Sequence, residues 1–563
     1  MASSATCKKR DARLSYLKLA NGVVYDPANG IDGEVRDIYV CDGKIVDPPG
    51  DDELGVRTID VSGLVVMPGG VDMHCHIAGP KVNTARKMQP EQYRGNEQPK
   101  KMLDRSVFHS GAMGSVPTIF TTGYKYTGLG YTTCFDAAIS PLAARHVHHE
   151  FNQIPNVDTG FFTLIGNNHF AMQAIAAGDN AQLDAFLGWL IHKVGAFAPK
   201  IVNPGGVELW KQDRAANATD LDQTVDGFGV TPRAIIQQIA RSANRLGLPH
   251  PVHIHTNNLG VPGNWQTTLQ TMQTLEDQRG HLTHIQFHSY GGGGVEEDSL
   301  CSKVAPLAEF VNGHPNITVD VGQVMFGRTT SMTGDGPLGY YLQQINGSKW
   351  YSSDTELESG CGVSPIEYKD TNFVHCLQWA IGLEWYLMVE DPWQVVMSTD
   401  HPNGGSFMAY PQIIRLLMDA SYRQEKLKQV SSKVLDHCEL ANLQREYSLN
   451  EIAIITRSGP ARILGLKDKG HLGVGGDADI TVYTPDDNYE TMFAVPRYVI
   501  KGGDLVVEDH ELRQVVSGKT LTAATNQDID RIPLIEQWIS DNYSLNAHHY
   551  GISDGEFDRV VRL

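Results

Sequence analysis

Between residues 69 and 464 of this 563-residue chain, short apolar runs of strand length alternate with stretches of helical period. Eight runs stand out: Val71–His76, Tyr131–Ala137, Phe161–Gly166, Lys200–Asn203, Pro251–His255, Ile285–Tyr290, Ile317–Gly322 and Val395–Asp400. Two of the intervening helices are well marked. Leu183, Phe186, Leu187, Leu190, Ile191 and Val194 fall on one stripe of residues 182–194. Thr231-Pro232 supplies an N-cap and a first-turn proline. Ile236, Ile239, Ala240 and Ala243 form that helix's inner face, and Gly247-Leu-Pro249 ends it. Strands separated by helices pair in parallel, because a parallel pair needs a crossover of a dozen or more residues. Eight such units predict an α/β fold, a (β/α)8 TIM-like barrel over residues 69–464, with its active site at the C-terminal strand ends.

The two chain ends read differently. In residues 1–68, Leu17–Ala20 and Val23–Tyr25 flank Asn21-Gly22, and Ile38–Cys41 and Lys44–Val46 flank Asp42-Gly43, both signals of a type I′ hairpin. Residues 465–563 hold strand-like Gly476–Tyr483 and Tyr498–Val507 with glycine turns. These ends are expected to pair into one small β-sandwich, residues 1–68 forming its first part and 465–563 its second part and a C-terminal tail. The formal net charge of −19 argues against nucleic acid or an anionic membrane as a partner. The basic N-terminus lacks the apolar core of a signal peptide, and no run reaches the length of a membrane span, so a soluble cytoplasmic protein is expected. The eight cysteines are scattered without a Cys-x-x-Cys pair, which points away from a disulfide framework or a zinc ribbon.

The barrel makes a test possible: metal-competent side chains should gather at the strand tips. The first strand ends in His74-Cys-His76, and residues two apart on a strand face the same side, about 7 Å apart. The fourth opens with Lys200, the fifth carries His253 and His255, the sixth His288, and the eighth ends at Asp400. His255 is preferred to His253 because it lies nearer the top, and His284 reads as a deeper, structural histidine. Singly, each has an ordinary explanation: a packed core histidine, a snorkelling lysine, a capping aspartate. Together they would bury six polar groups at five tips, which is costly unless something binds them. Neutral imidazoles and carboxylates suit Zn²⁺. A lysine amine can share a site with two cations only if its charge is removed, and carboxylation turns Lys200 into a bridging anion. Two metals can activate water and polarise a carbonyl, with Asp400 moving the proton to a leaving amine.

This constellation resembles the amidohydrolase superfamily. The resemblance implies that His74, His76 and Asp400 hold one metal and His255 and His288 the other, with carboxylated Lys200 between them. Lys193 is the nearest competitor for that role, but it belongs to the helix of residues 182–194. Longer strings, Val202-Asn-Pro-Gly-Gly206, His253–Gly263, His284–Tyr290 and Ser398–Asn403, resemble the family of formylmethanofuran dehydrogenase A subunits and their counterparts in bacterial formyltransferase/hydrolase complexes. That family implies cleavage or formation of the N-formyl amide of a methanofuran-type carrier, two Zn²⁺, and partner subunits. A charged fraction of 20%, below the usual quarter, points to a mesophile and so to the bacterial direction, hydrolysis to formate. Asn203 is expected to contact the carrier. Residues 81–105 hold seven basic and three acidic residues, and Lys100 and Lys101 in this segment are expected to draw in an anionic carrier. The alternatives are a cyclic amidase of hydantoinase or dihydroorotase type, a mononuclear deaminase, and a scaffold subunit without activity.

Overall fold

Eight parallel strands carry the fold in a computed structural model that describes residues 16–50, 55–90, 114–213, 218, 220–293, 299–347, 351–353 and 361–563. They are β1 Gly70–Cys75, β2 Tyr131–Ile139, β3 Asp158–Leu164, β4 Ala198–Val202, β5 Val252–His255, β6 Gly280–Leu282, β7 Ile317–Asp320 and β8 Val395–Val396. Each pairs in parallel with the next. The ring is closed by a parallel bridge between Cys75 and His401, where the His76 N–H donates to the His401 carbonyl at 2.6 Å. Every residue of β2 and of β3 is buried. A strand covered on both faces reads as one apolar run rather than an alternation, which is why these strands were visible.

The outer helices follow their local signals. Asp179 caps Asn180–Val194 by accepting from the Gln182 N–H, and Gly195 ends it at φ 64°. Thr231 caps Pro232–Arg245 by accepting from the Ala234 N–H, and the helix buries Ile235, Ile236, Ile239 and Ala243. Each isoleucine so buried contributes about 1.5–3 kcal/mol, so Ile239→Asp would break this contact with the barrel.

Two expectations need correction. The sixth strand is Gly280–Leu282, not 285–290; Ile285–His288 is a single 3₁₀ turn. Asn21-Gly22 is not a hairpin. Tyr16–Asp26 is one strand that shifts register between Leu19 and Gly22. It is paired on both sides, and a Cβ on Gly22 would lie 2.5 Å from Val66 Cγ2, so the glycine permits close packing here rather than a turn. Asp42-Gly43 does turn a hairpin, with φ of 49° and 76°.

The two chain ends meet where Val65–Pro68 pairs antiparallel with Ile480–Tyr483, forming a separate nine-stranded mixed sheet. Lys469, buried under this sheet, contacts Asp158 at 2.5 Å, Asp479 at 2.8 Å and Asp477 at 2.9 Å, tying the sheet to the foot of β3. The tail returns to the barrel: Thr520–Thr522 pairs with Val560–Arg562 and meets β3 at Thr159. Cys41 is disulfide-bonded, a pairing the scattered spacing did not announce. No helix among the described residues is long and apolar enough to cross a membrane.

Between β7 and β8 the chain adds an insertion that sequence periodicity did not reveal. Gly327–Thr333, Cys361–Tyr368 and Tyr351–Ser353 form a three-stranded antiparallel sheet, joined by the helix Gly336–Asn346. Both elements contribute residues to the walls of the cavity at the barrel mouth.

Candidate active site

At the C-terminal end of the barrel lies a cavity of about 420 Å³. His74, His76, Lys200, His255, His284 and Asp400 supply its polar floor. Leu259, Phe287, Met332, Leu338, Tyr341 and Ile366 supply an apolar wall, much of it from the insertion. Polar groups converging under apolar walls are the usual make-up of a small-molecule site.

The histidines are oriented from behind. His74 and His76 direct Nε2 at the same oxygen, Asp400 Oδ1, at 3.0 and 3.1 Å. Their other nitrogens face carboxylates of other barrel strands: His74 Nδ1 lies 2.8 Å from Asp320 Oδ2, and His76 Nδ1 3.2 Å from Asp136 Oδ1. His288 Nδ1 meets Thr256 Oγ1 at 2.8 Å, and His255 Nε2 meets Asp335 Oδ2 at 3.2 Å. An outer acceptor that fixes tautomer and ring angle is characteristic of metal-ligating histidine. Lys200 Nζ, His284 Nδ1 and His288 Nε2 are buried without a hydrogen-bond partner. Each such atom costs about 1–3 kcal/mol, a cost removed when a cation or a carbamate takes it up. Ligand atoms of His255, His284 and His288 lie within 4.8 Å of one another, as do those of His74, His284 and Asp400. These two overlapping clusters, which share His284, have donors suited to divalent cations.

Burial and charge set the protonation states. Burial pushes Asp400 up, but His74, His284 and the hydrogen bonds from His74 and His76 hold it well below the usual carboxylate range. Burial would lower His74, yet Asp320 and Asp400 on either side raise it to about 9; ligation there must displace a proton. Burial keeps His255, His284 and His288 below the ordinary value, leaving them neutral and able to ligate. Burial also pulls Lys200 down to about 7, against the opposing pull of Asp320 and Asp400.

Of the residues singled out from sequence, His74, His76, Lys200, His255 and Asp400 line the cavity. His288 stands just behind it. Asn203 is fully buried behind the wall, where its amide donates to Asp335 Oδ1 at 3.0 Å and accepts from Asn257 Nδ2 at 2.8 Å. Lys100 and Lys101 lie outside the described residues. Lys193 sits on the outer helix against Glu536, away from the cavity. His253 packs one layer down against His250. His284, read as structural, is part of the floor. Because β6 ends at Leu282, the chain turns at His284 with φ 36° and delivers its ring to the cavity. Asp136, Asp320 and Asp335 were missed. Asp320 had a signal, a carboxylate at the end of an apolar strand, and Asp136 had one near the end of the run 131–137; Asp335 had none.

Comparison with known proteins extends this picture. The model of the amidohydrolase family matches residues 57–507. Protein FwdA of Methanocaldococcus jannaschii is 42% identical over 570 residues, covering 97% of this chain and 98% of that one. The Fhc A subunit, from the formyltransferase/hydrolase complex of Methylorubrum extorquens, is 35% identical over 552 residues, covering 96% and 97%. The crystal structure of that FhcABCD complex with methylofuran superposes with a TM-score of 0.90 at 33% identity, covering 97% of this chain and 99% of the matched one.

Proposed function

The chain belongs to the amidohydrolase family, and from that premise we propose that it is a zinc-dependent N-formyl amide hydrolase. It releases formate from a formylated methanofuran-type amine, as one component of a larger one-carbon complex. The observation that carries the reading is the convergence of histidines, Asp400 and the unpartnered Lys200 amine under one apolar-walled cavity. It is joined to near-full-length similarity to the Fhc protein of Methylorubrum extorquens.

His74, His76 and Asp400 would hold one Zn²⁺, and His255 with His284 or His288 the second. The neutral Lys200 amine adds to CO₂, forming an N–C bond and releasing one proton, and the resulting carbamate is an anion suited to lie between two cations. Such a metal pair, when bound, supplies Lewis acidity toward the formyl oxygen and lowers the pKa of water. Asp400 acts as base and then acid: it takes the proton of the attacking water and returns it to the departing amine nitrogen. Leu259, Phe287, Leu338 and Tyr341 shield the formamide from bulk water and favour an amine with a flat or apolar end. Lys100 and Lys101 draw the anionic remainder of the carrier toward the mouth.

The test is elemental mass spectrometry on the purified protein together with formate release. The substrate panel contains the formylated carrier, a dihydropyrimidine and a hydantoin. About two zinc per chain and formate from the carrier alone are expected. Ring opening of a cyclic amide with no formate release would end this reading.

A further inference from the structure

Three of the four oriented histidines are held by groups of the barrel itself: Asp320 at the end of β7, Asp136 in β2, and Thr256 just after β5. The fourth is not. His255 is held by Asp335, which belongs to the insertion over the mouth. Asp335 is 2% exposed, and both its oxygens are engaged. Oδ2 accepts from His255 at 3.2 Å; Oδ1 accepts from Asn203 Nδ2 at 3.0 Å and from the Leu338 N–H at 3.3 Å. The last contact is the N-cap of helix Gly336–Asn346, whose Leu338, Tyr341 and Leu342 form part of the cavity wall.

We propose that Asp335 is a positioning residue that couples the insertion to the metal site. Accepting from Nε2–H fixes His255 in one tautomer and leaves Nδ1 as its electron-pair donor. The same carboxylate caps the helix that shapes the wall. Binding of a cation by His255 and ordering of that helix therefore favour each other, and linkage makes the effect reciprocal. This rests on the metal site proposed above, but not on its substrate.

Asp335→Asn tests it with little change of shape. The asparagine oxygen still accepts from Asn203 and Leu338, while its NH₂ confronts Nε2 and selects the wrong tautomer. Asp335→Ser keeps a capping oxygen but removes the contact with His255, and guards against a folding defect in the first variant. Zn²⁺ is titrated calorimetrically into chelator-stripped full-length protein. The wild type should show two steps; both variants should weaken one step about 10–100-fold and leave the other within about threefold. Hydrogen exchange supplies a second reading. Zn²⁺ should slow exchange at 338–342 in the wild type and leave it unchanged in Asp335→Asn. Two unaltered binding steps, or equal weakening of both, overturns the coupling. No Zn²⁺ binding by the wild type overturns it together with the hydrolase reading. Inertness toward the formylated carrier, with the one-step defect present, removes the substrate and supports the coupling.

Discussion

Replacing Lys200 by methionine should stabilise the metal-free chain while abolishing turnover. The Lys200 amine is 1% exposed, has no hydrogen-bond partner, and is drawn by burial from 10.5 down to about 7. At about 1.4 kcal/mol per tenfold, that difference corresponds to about 5 kcal/mol against holding the ammonium in the barrel. At pH 7 about half of the amine is neutral, against about one in three thousand for an ordinary lysine. This is the population that can add to CO₂. Unfolded chains keep the proton up to about 10.5, whereas the folded chain gives it up near 7, so between these values the unfolded state binds more protons. The penalty is full below pH 7 and is lifted as pH rises toward 10.5, by up to about 1.4 kcal/mol per pH unit. Methionine fills a similar volume without a charge to desolvate, so the metal-free variant should gain a few kcal/mol at pH 7 and show a flatter dependence on pH.

The assay is scanning calorimetry of chelator-stripped protein in CO₂-free buffer from pH 6 to pH 10, paired with formate release. In parallel, ¹³CO₂ supplied to the stripped wild type should give one carbamate resonance. Its amount should rise between pH 6 and pH 8, as the neutral amine climbs from about a tenth to about nine tenths. A metal-free Lys200→Met chain less stable than wild type at pH 7 would refute the assignment of strain to this amine. Full turnover in the variant would refute its place in the site.

Asp400→Asn should keep its zinc, measured by elemental mass spectrometry, and lose about 10²–10⁴ in kcat, the usual worth of a general acid–base group; retained turnover would remove Asp400 from proton transfer. Charge reversal at Lys100 and Lys101 should raise KM for the carrier and flatten its salt dependence, with kcat unchanged; no movement in either parameter sinks the steering idea. Lys469→Met leaves Asp158 and Asp479 sharing Lys501 alone. It should cost about 3–5 kcal/mol, seen as a lower melting temperature; an unchanged transition would show that the cluster does not tie the sheet to the barrel.

What could be read without coordinates divides along a physical line. A barrel strand buried on both faces prints itself locally as an apolar run, and the residue that ends it stands at the mouth. His74, His76, His255 and Asp400 were read at the ends of such runs and Lys200 at the start of one, and all five line the cavity. The sixth strand failed because three residues, Gly280–Leu282, are too few to show a period, while Ile285-Gln-Phe-His288 imitates an alternation inside a 3₁₀ turn. That slip placed His284 too deep and made His288 the tip. The groups that aim the ligands were illegible for a different reason. Asp320 reaches His74 across 246 positions and Asp335 reaches His255 across 80, and no local periodicity encodes such a contact. In Asp335 even the expected location fails, since it belongs to an inserted helix and not to a strand. The cavity thus joins a locally written set of ligands to a set of restraints that exists only after folding. In the insertion, as in the loop after β5 that carries Thr256 and Leu259, the restraint on a candidate ligand and part of the cavity wall are the same piece of chain.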